Sequence, residues 1–450
     1  MPDTPLLPPD HPDRASLAAE VHARPPEPLQ APSRATYVAV RIDGEARAAE
    51  MAHIVALCGL TGVAPPMPGG TQWAAQMGAV RFKWERHGEF SSYTFFTAGL
   101  SGAPFAEPVV AMLPPGWLAG VPGQTVFAAH AKLASADLLE DADTGPGGTP
   151  SAAQLAAHFG ANVVVGAGIG DGAGQAFTDF VIHPDGFARF LLLDREMTER
   201  QAGRMLQRLF EIEAYRMMAL LALPVARGLW PRLLAIERTL AGLTERIAAG
   251  ASQGASEDEP LLQELMALAA EIESALSASQ ARFGASRAYH ALVATRIAEL
   301  REVRIKGLQT IDEFMTRRLS PAMATCATAS QRLHDLSERV AQASNLLSTR
   351  VDIARERQNQ ALLAATARRA KLQLRLQQTV EGLSVAAIVY YLAGLVGYGA
   401  KALKAAGLPI SPDLLTGAAV PVLALGAWVV LKRVHRRIAA QDGETSRSFH

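Results

Sequence analysis

The sequence predicts three parts: an α+β N-terminal domain with a mainly antiparallel sheet, a long helical stalk with coiled-coil character, and a C-terminal two-helix transmembrane hairpin. Three observations predict it. Residues 35–194 alternate short strand-like runs with turn signals. Residues 195–381 carry long helical periodicity, and from Leu308 to Glu381 there is no glycine. Two apolar runs free of charged side chains follow close together near the C-terminus.

A Pro-rich arm (1–34) precedes the first domain. Within the domain, Thr36 to Ile42 reads as a strand and Glu45 to Leu60 as an amphipathic helix. Val80 to Arg86 and Phe90 to Thr97 read as strands around His87-Gly88-Glu89, a hairpin signal. A Pro/Gly-rich connection runs from Gly102 to Gly123. The order then recurs. Thr125 to Leu133 is strand-like, Ser151 to Phe159 a short helix, and Asn162 to Ala167 a strand. Gln175 to Ile182 and Phe187 to Leu193 flank the turn Pro184-Asp185-Gly186. Two successive β-α-β-β units, a possible duplication, make up an α+β domain.

The stalk (195–381) shows apolar stripes at helical spacing. Ile236, Leu240, Leu243 and Ile247 form one, and Leu261, Leu265, Leu268, Ile272 and Leu276 another. The run from Ala249 to Ser256 reads as a flexible turn between them, which predicts an antiparallel helical hairpin. Leu333, Leu336, Val340, Ala343 and Leu347 recur at 3-4-3-4 spacing, a coiled-coil-like seam that serves either one chain or several. Ser320-Pro321 predicts a kink or tight turn, because proline cannot continue a helix from the preceding turn.

The hairpin spans 382–431. Its first run is Gly382 to Ala400, bounded by Glu381 and Lys401; its second is Leu414 to Leu431, bounded by Asp413 and Lys432. Runs of 19 and 18 residues meet the length of about 17 to 25 that a membrane-crossing helix needs. Arg368, Arg369, Lys371 and Arg375 precede the first run, and Lys432, Arg433, Arg436 and Arg437 open a basic tail (432–450). The connection carries only Lys401 and Lys404. The positive-inside rule therefore places both ends in the cytoplasm. The basic flanks would attract anionic lipid head groups.

Composition narrows the function classes. The 43 basic and 43 acidic residues cancel, which gives no support to a nucleic-acid partner. Cys58 and Cys326 are distant in sequence and form neither a disulfide framework nor a metal cluster. The N-terminus lacks the basic and apolar regions of a cleavable signal.

Candidate site residues are few. Glu20-Val21-His22-Ala23-Arg24 gathers an acid, an imidazole and a guanidinium, so the segment with His22 and Arg24 could bind an anion or a metal; an extended arm held by Pro25 and Pro26 is the simpler reading. Residues 299–318 read as a dense mixed-charge helix. On it Glu299 and Glu302 would share a face, as a cation site or, more commonly, a salt-bridged surface. Glu381 sits at the membrane entry, where an acid can guard a pore. Gly166 to Gly174 is glycine-rich, but its spacing fits neither nucleotide-binding pattern, and a β-hairpin loop explains it better. No cofactor, metal or catalytic set is expected.

The segments EVHARPPEPL (20–29), RIAELREVRIKGLQTIDEFMTRRLSPAMATC (296–326) and LLSTRVDIARERQNQALLAATARRAKLQLRLQQTVEGLSVAAIVYYLAGLVGY (346–398) resemble a bacterial membrane-anchored family, Domain of Unknown Function 3422. The resemblance covers nearly the whole chain. It implies a membrane-anchored protein and carries no activity with it; together with the flanking charges, the expected location is the bacterial inner membrane with most of the mass cytoplasmic. The plan also resembles CorA-type divalent-cation channels in architecture. Where those carry Gly-Met-Asn, this chain reads Tyr398-Gly399-Ala400-Lys401. The expectation is a non-enzymatic scaffold that self-associates as a homo-oligomer. The alternatives are a channel without that motif, and an enzyme or sensor for a small anion.

Overall fold

The computed structural model describes residues 8, 10–21, 25–139, 148–250, 258–406, 409 and 411–445. The chain divides into two compact units: Met1–Gln253 with Pro260–Asn345, and Gly254–Glu259 with Leu346–His450.

The first unit is built on a nine-stranded sheet. Its strands are β1 (Ser33–Arg41), β2 (Gln72–Met77), β3 (Val80–Arg86), β4 (Phe90–Ala98), β5 (Gln124–Ser135), β6 (Val165–Ile169), β7 (Gly174–Thr178), β8 (Ala188–Asp194) and β9 (Val303–Arg304). They lie in the order β2-β3-β4-β1-β5-β8-β7-β6-β9. Helix α1 (Arg14–Val21) precedes the sheet, α2 (Arg47–Thr61) follows β1, and α3 (Ala152–Phe159) follows β5. The repeat is therefore β-α-β-β-β twice; β2 is the strand that the sequence reading did not have. In each half the last strand returns beside the first. The halves differ in sense: β1 pairs β4 antiparallel, whereas β5 pairs β8 parallel. Asn162 to Val164 precede their strand, and β7 stops at Thr178, where the Asp179 loop begins.

Both faces of the sheet are covered. Val38, Val40, Phe82, Trp84, Tyr93 and Phe95 pack with Ile54 and Leu57 of α2. Each such fully buried large side chain contributes roughly 2–3 kcal/mol by leaving water. Leu155 and Phe159 of α3 pack with Leu191 and Leu193 on the same side. On the opposite face, α4 (Glu199–Leu220) stacks Phe210 on Tyr37 at 4.7 Å and meets Phe190 edge-on at 5.8 Å. The arm from Pro25 to Leu29 runs along α4. Lys83 donates to Pro25 O (2.7 Å), Arg81 to Pro28 O (2.7 Å), and Leu29 N to Glu199 O (2.9 Å). Gly203 lets the arm approach: a Cβ there would collide with the Glu27 carbonyl.

A helical bundle completes this unit. The helix α5 (Ala222–Gly250) runs antiparallel to α6 (Asp258–Leu300), as expected. Arg246 pairs with Glu264 near the turn, and Arg232 with Glu271 farther along, at 2.8 and 2.9 Å. The turn read at Ala249 to Ser256 lies mostly outside the described residues. After α6 come β9, α7 (Ile311–Arg318) and α8 (Ser320–Ala405). Pro321 sits in the first turn of α8, where its missing N–H costs nothing. Leu333, Leu336 and Val340 of the seam are buried within the chain. Arg332 beside them pairs with Glu237 and lies over the Trp230 ring of α5.

The mixed-charge helix read over 299–318 is corrected. The helix α6 stops at Leu300, and Arg301 takes a left-handed φ of 49°. The sheet imposes the stop. Gly170 N donates to Leu300 O (2.8 Å), Arg301 pairs with Asp171 (2.7 Å), and β9 adds to the edge of β6.

In the second unit, α8 continues from Leu346 and is followed by α9 (Pro412–Thr445). Arg350 pairs with Asp258 at 3.2 Å and Arg355 with Glu259 at 2.8 Å.

Candidate functional site

Among the described residues, three helical stretches are long and apolar enough to cross a membrane: Glu199–Gly250, Ile311–Ala405 and Pro412–Val430. The most apolar part of the first is 28% buried inside the chain, and that stretch serves the sheet and bundle. In the other two, none of the most apolar part is buried. Leu383, Tyr390, Tyr391, Leu395, Leu414 and Val422 each leave 65–76% of their surface uncovered. Water would penalise such a surface, whereas lipid tails would not.

The two apolar helices touch through small residues. Ala393 and Ala400 of α8 are buried. A Cβ on Gly397 would lie 3.3 Å from Thr416 Oγ1 of α9, an approach closer than larger side chains permit. The Thr416 hydroxyl donates to Pro412 O at 2.7 Å, so it brings no unpaired polar group to the contact. Beside it opens a cleft of about 820 Å³, lined among others by Tyr390, Tyr391, Tyr398, Lys401 and Asp413. Lys432 lies over the Trp428 ring at 4.7 Å, a cation and an aromatic at the end of an apolar run.

The expected site residues do not converge. His22 and Arg24 lie outside the described residues. Glu299 accepts from Arg208 Nε (3.1 Å) and Arg296 Nη1 (3.0 Å), tying α6 to α4. Glu302 caps α7, accepting from Ile311 N (2.8 Å) and Asp312 N (2.9 Å). Burial raises the Glu302 carboxyl above its ordinary range, while those amides act the other way. With α6 ended at Leu300, the two acids share no helical face. Gln377 donates to Glu381 at 3.3 Å, one turn along α8. Among the described residues, no three His, Cys, Asp or Glu are placed to hold a metal ion. The glycine run forms the β6–β7 hairpin, with positive φ at Gly170, Asp171 and Gly172.

Several buried or half-buried polar clusters of the sheet domain had no signal in sequence. Glu50 of α2 is fully buried. It accepts from Trp84 Nε1 and Tyr93 OH, both at 2.8 Å, with Arg47 and Arg86 at 3.7 Å. Lys132 donates to His158 Nε2 at 3.1 Å, since His158 Nδ1 faces Gln154 O at 2.8 Å. Burial lowers both of their pKa values. Lys83 and Glu85 form an ion pair at 2.9 Å between the sheet and α4. These groups lock elements together and face no sizeable cavity.

A family model described as a protein of unknown function (DUF3422) matches residues 9–438. The chain belongs to this family. No curated protein and no solved structure matches it. The match to DUF3422 takes in the sheet domain, the bundle and both apolar helices. The family unit is thus the whole architecture, hairpin region included.

Proposed function

We propose that this DUF3422 protein is a membrane-anchored scaffold. In this reading α8 from Gly382 and α9 cross the bacterial inner membrane as a hairpin, and the sheet domain and bundle stay on the cytoplasmic side. One observation carries it: the most apolar stretches of α8 and α9 leave their large side chains uncovered by the chain, with small residues such as Ala393 and Ala400 at their contact. The basic residues on both outer flanks support the orientation. The buried Leu333 to Val340 stripe is filled from within the chain, so it offers no surface for self-association. The exposed part of α8 is a helical surface left for a partner.

Alkaline extraction and vesicle flotation of the full chain test the anchor. The protein should float and resist extraction. A variant with Val389→Asp and Leu425→Asp should be released, because each acid costs about 2.5–3.5 kcal/mol at the centre of a span. Release of the unaltered chain by alkali would refute anchoring. An impermeant thiol reagent applied to cells should label Ser411→Cys and spare Ala365→Cys; the reverse pattern would overturn the orientation.

A further inference from the structure

Every residue of α8 from Arg355 to Val380 is exposed. Leu362, Leu363, Leu372, Leu374 and Leu376 each leave 59–70% of their surface uncovered. The same stretch carries Arg357, Arg368, Arg369, Lys371 and Arg375, with no acid between Arg357 and Glu381. The ion pairs of α8 in this unit, at Arg350 and Arg355, end before these five cations begin.

We infer that residues 357–380 of α8 are the docking surface for an acidic, leucine-bearing helix of another protein. The inference rests on the anchored scaffold reading and names the class of its partner. Charge complementarity selects the occupant. Leu362, Leu372 and Leu376 share one helical face and need an apolar stripe opposite them, while Arg369 within that face and Arg357, Arg368, Lys371 and Arg375 beside it need carboxylates.

A second copy of this chain meets the first need and fails the second. Two copies inserted through the same hairpin enter the membrane in the same direction, so their α8 helices pair in parallel. In register, Arg368, Arg369, Lys371 and Arg375 would then face their own counterparts. Ala365, Arg369, Leu372 and Leu376 follow at 4-3-4 spacing, which puts Arg369 in the seam itself. Two guanidinium groups buried there without an acid are strongly unfavourable. Sliding the register does not help, because the segment holds no acid to bring opposite a cation.

Lipid cannot cover the stretch either. Leu362 precedes Gly382 by 20 residues. At about 1.5 Å per residue that is roughly 30 Å of helix. Head groups extend only about 5–8 Å beyond the hydrocarbon core, and surface charge is screened over roughly 8 Å. Anionic lipid accounts for Arg375 and Lys371 at most.

The test is a photo-crosslinking amino acid at Leu362, Leu372 or Leu376 in the full chain, in cells that make it naturally, with the crosslinked peptide sequenced by mass spectrometry. The expected adduct is a different protein, joined through a peptide with excess acid and leucines three and four apart. Its yield should fall about tenfold or more in a variant with Arg368→Glu and Arg369→Glu. An adduct with a second copy, an adduct of lipid mass, no adduct, or a protein adduct indifferent to charge reversal would each overturn the inference. Membrane fractionation of the same cells separates the two readings. A soluble chain would refute the anchor, whereas the crosslinked peptide alone decides the partner.

Discussion

Arg282 of α6 grips Glu89, in the turn between β3 and β4, through two guanidinium nitrogens at 3.1 and 3.2 Å. Tyr289, two turns along the same helix, sits against Phe90 and Tyr215. These contacts join the bundle to the sheet. Arg282 is mostly shielded from solvent and Glu89 only partly, so the pair is worth more than a surface ion pair. Arg282→Ala should lower stability by about 1–2 kcal/mol in urea unfolding of the detergent-solubilised chain. Hydrogen exchange should quicken in Phe90 to Tyr93 and leave β6 and β7 unchanged. Uniform quickening would mean that the contact is not a local clamp.

Glu299 and Glu302 are close in sequence and serve different partners. Glu299 binds arginines of α4 and α6; Glu302 binds the first amides of α7. Loss of a helix cap typically costs about 0.5–2 kcal/mol. Glu302→Ala should therefore destabilise by about 1 kcal/mol. The double variant with Glu299→Ala should equal the two single effects within about 0.5 kcal/mol, since they share no contact. A larger coupling would mean that the carboxylates act as a pair after all.

Gly397 of α8 and Thr416 of α9 lie in close contact, with Thr416 Oγ1 3.3 Å from where a Cβ on Gly397 would stand. A cysteine sulfur in the place of Thr416 Oγ1 would lie about 3.3 Å from the Cβ of a cysteine at position 397, near enough for a disulfide to close. Gly397→Cys with Thr416→Cys should oxidise within one chain in native membranes, read by mass after alkylation. A control with Gly399→Cys and Thr416→Cys should not, because Gly399 has no neighbour within Cβ reach. Equal oxidation of both pairs would remove the specific contact.

Legibility in sequence followed the range of the interactions. The strands β1, β3, β4 and β8 place alternating or continuous apolar residues between turn signals, and their bounds were readable to within a few residues. The edge strand β2 was not. It reads Gln-Trp-Ala-Ala-Gln-Met, lacks β-branched residues, and is half exposed, so its pairing with β3 defines it. The strand β9 exists only because β6 lies beside it; Glu299-Leu300-Arg301-Glu302 would otherwise continue a helix. The apolar hairpin region was plain because hydropathy is a local property. The Glu50 cluster was invisible because Trp84 and Tyr93 are 34 and 43 residues away from the acid they bind.

His130 gives the first unit a pH-dependent stability. The side chain is 3% exposed, stacks on Phe187 at 4.0 Å, and its Nδ1 meets Thr36 Oγ1 at 2.9 Å. Burial lowers its pKa from 6.5 to about 4. The folded state thus favours the neutral ring, and the unfolded state takes up the proton first as pH falls. Its contribution is complete above pH 6.5 and is lost as pH falls towards 4. By linkage the loss is about 3 kcal/mol in order of magnitude. His158, also lowered by burial, acts in the same sense; Asp194 and Glu302, raised by burial, act in the opposite one. Comparison with His130→Gln holds those three constant. The unaltered chain should lose more stability than the variant between pH 6.5 and 4, with the two curves parallel from pH 7 to 8. Curves parallel across the whole range would show that His130 does not titrate within the fold.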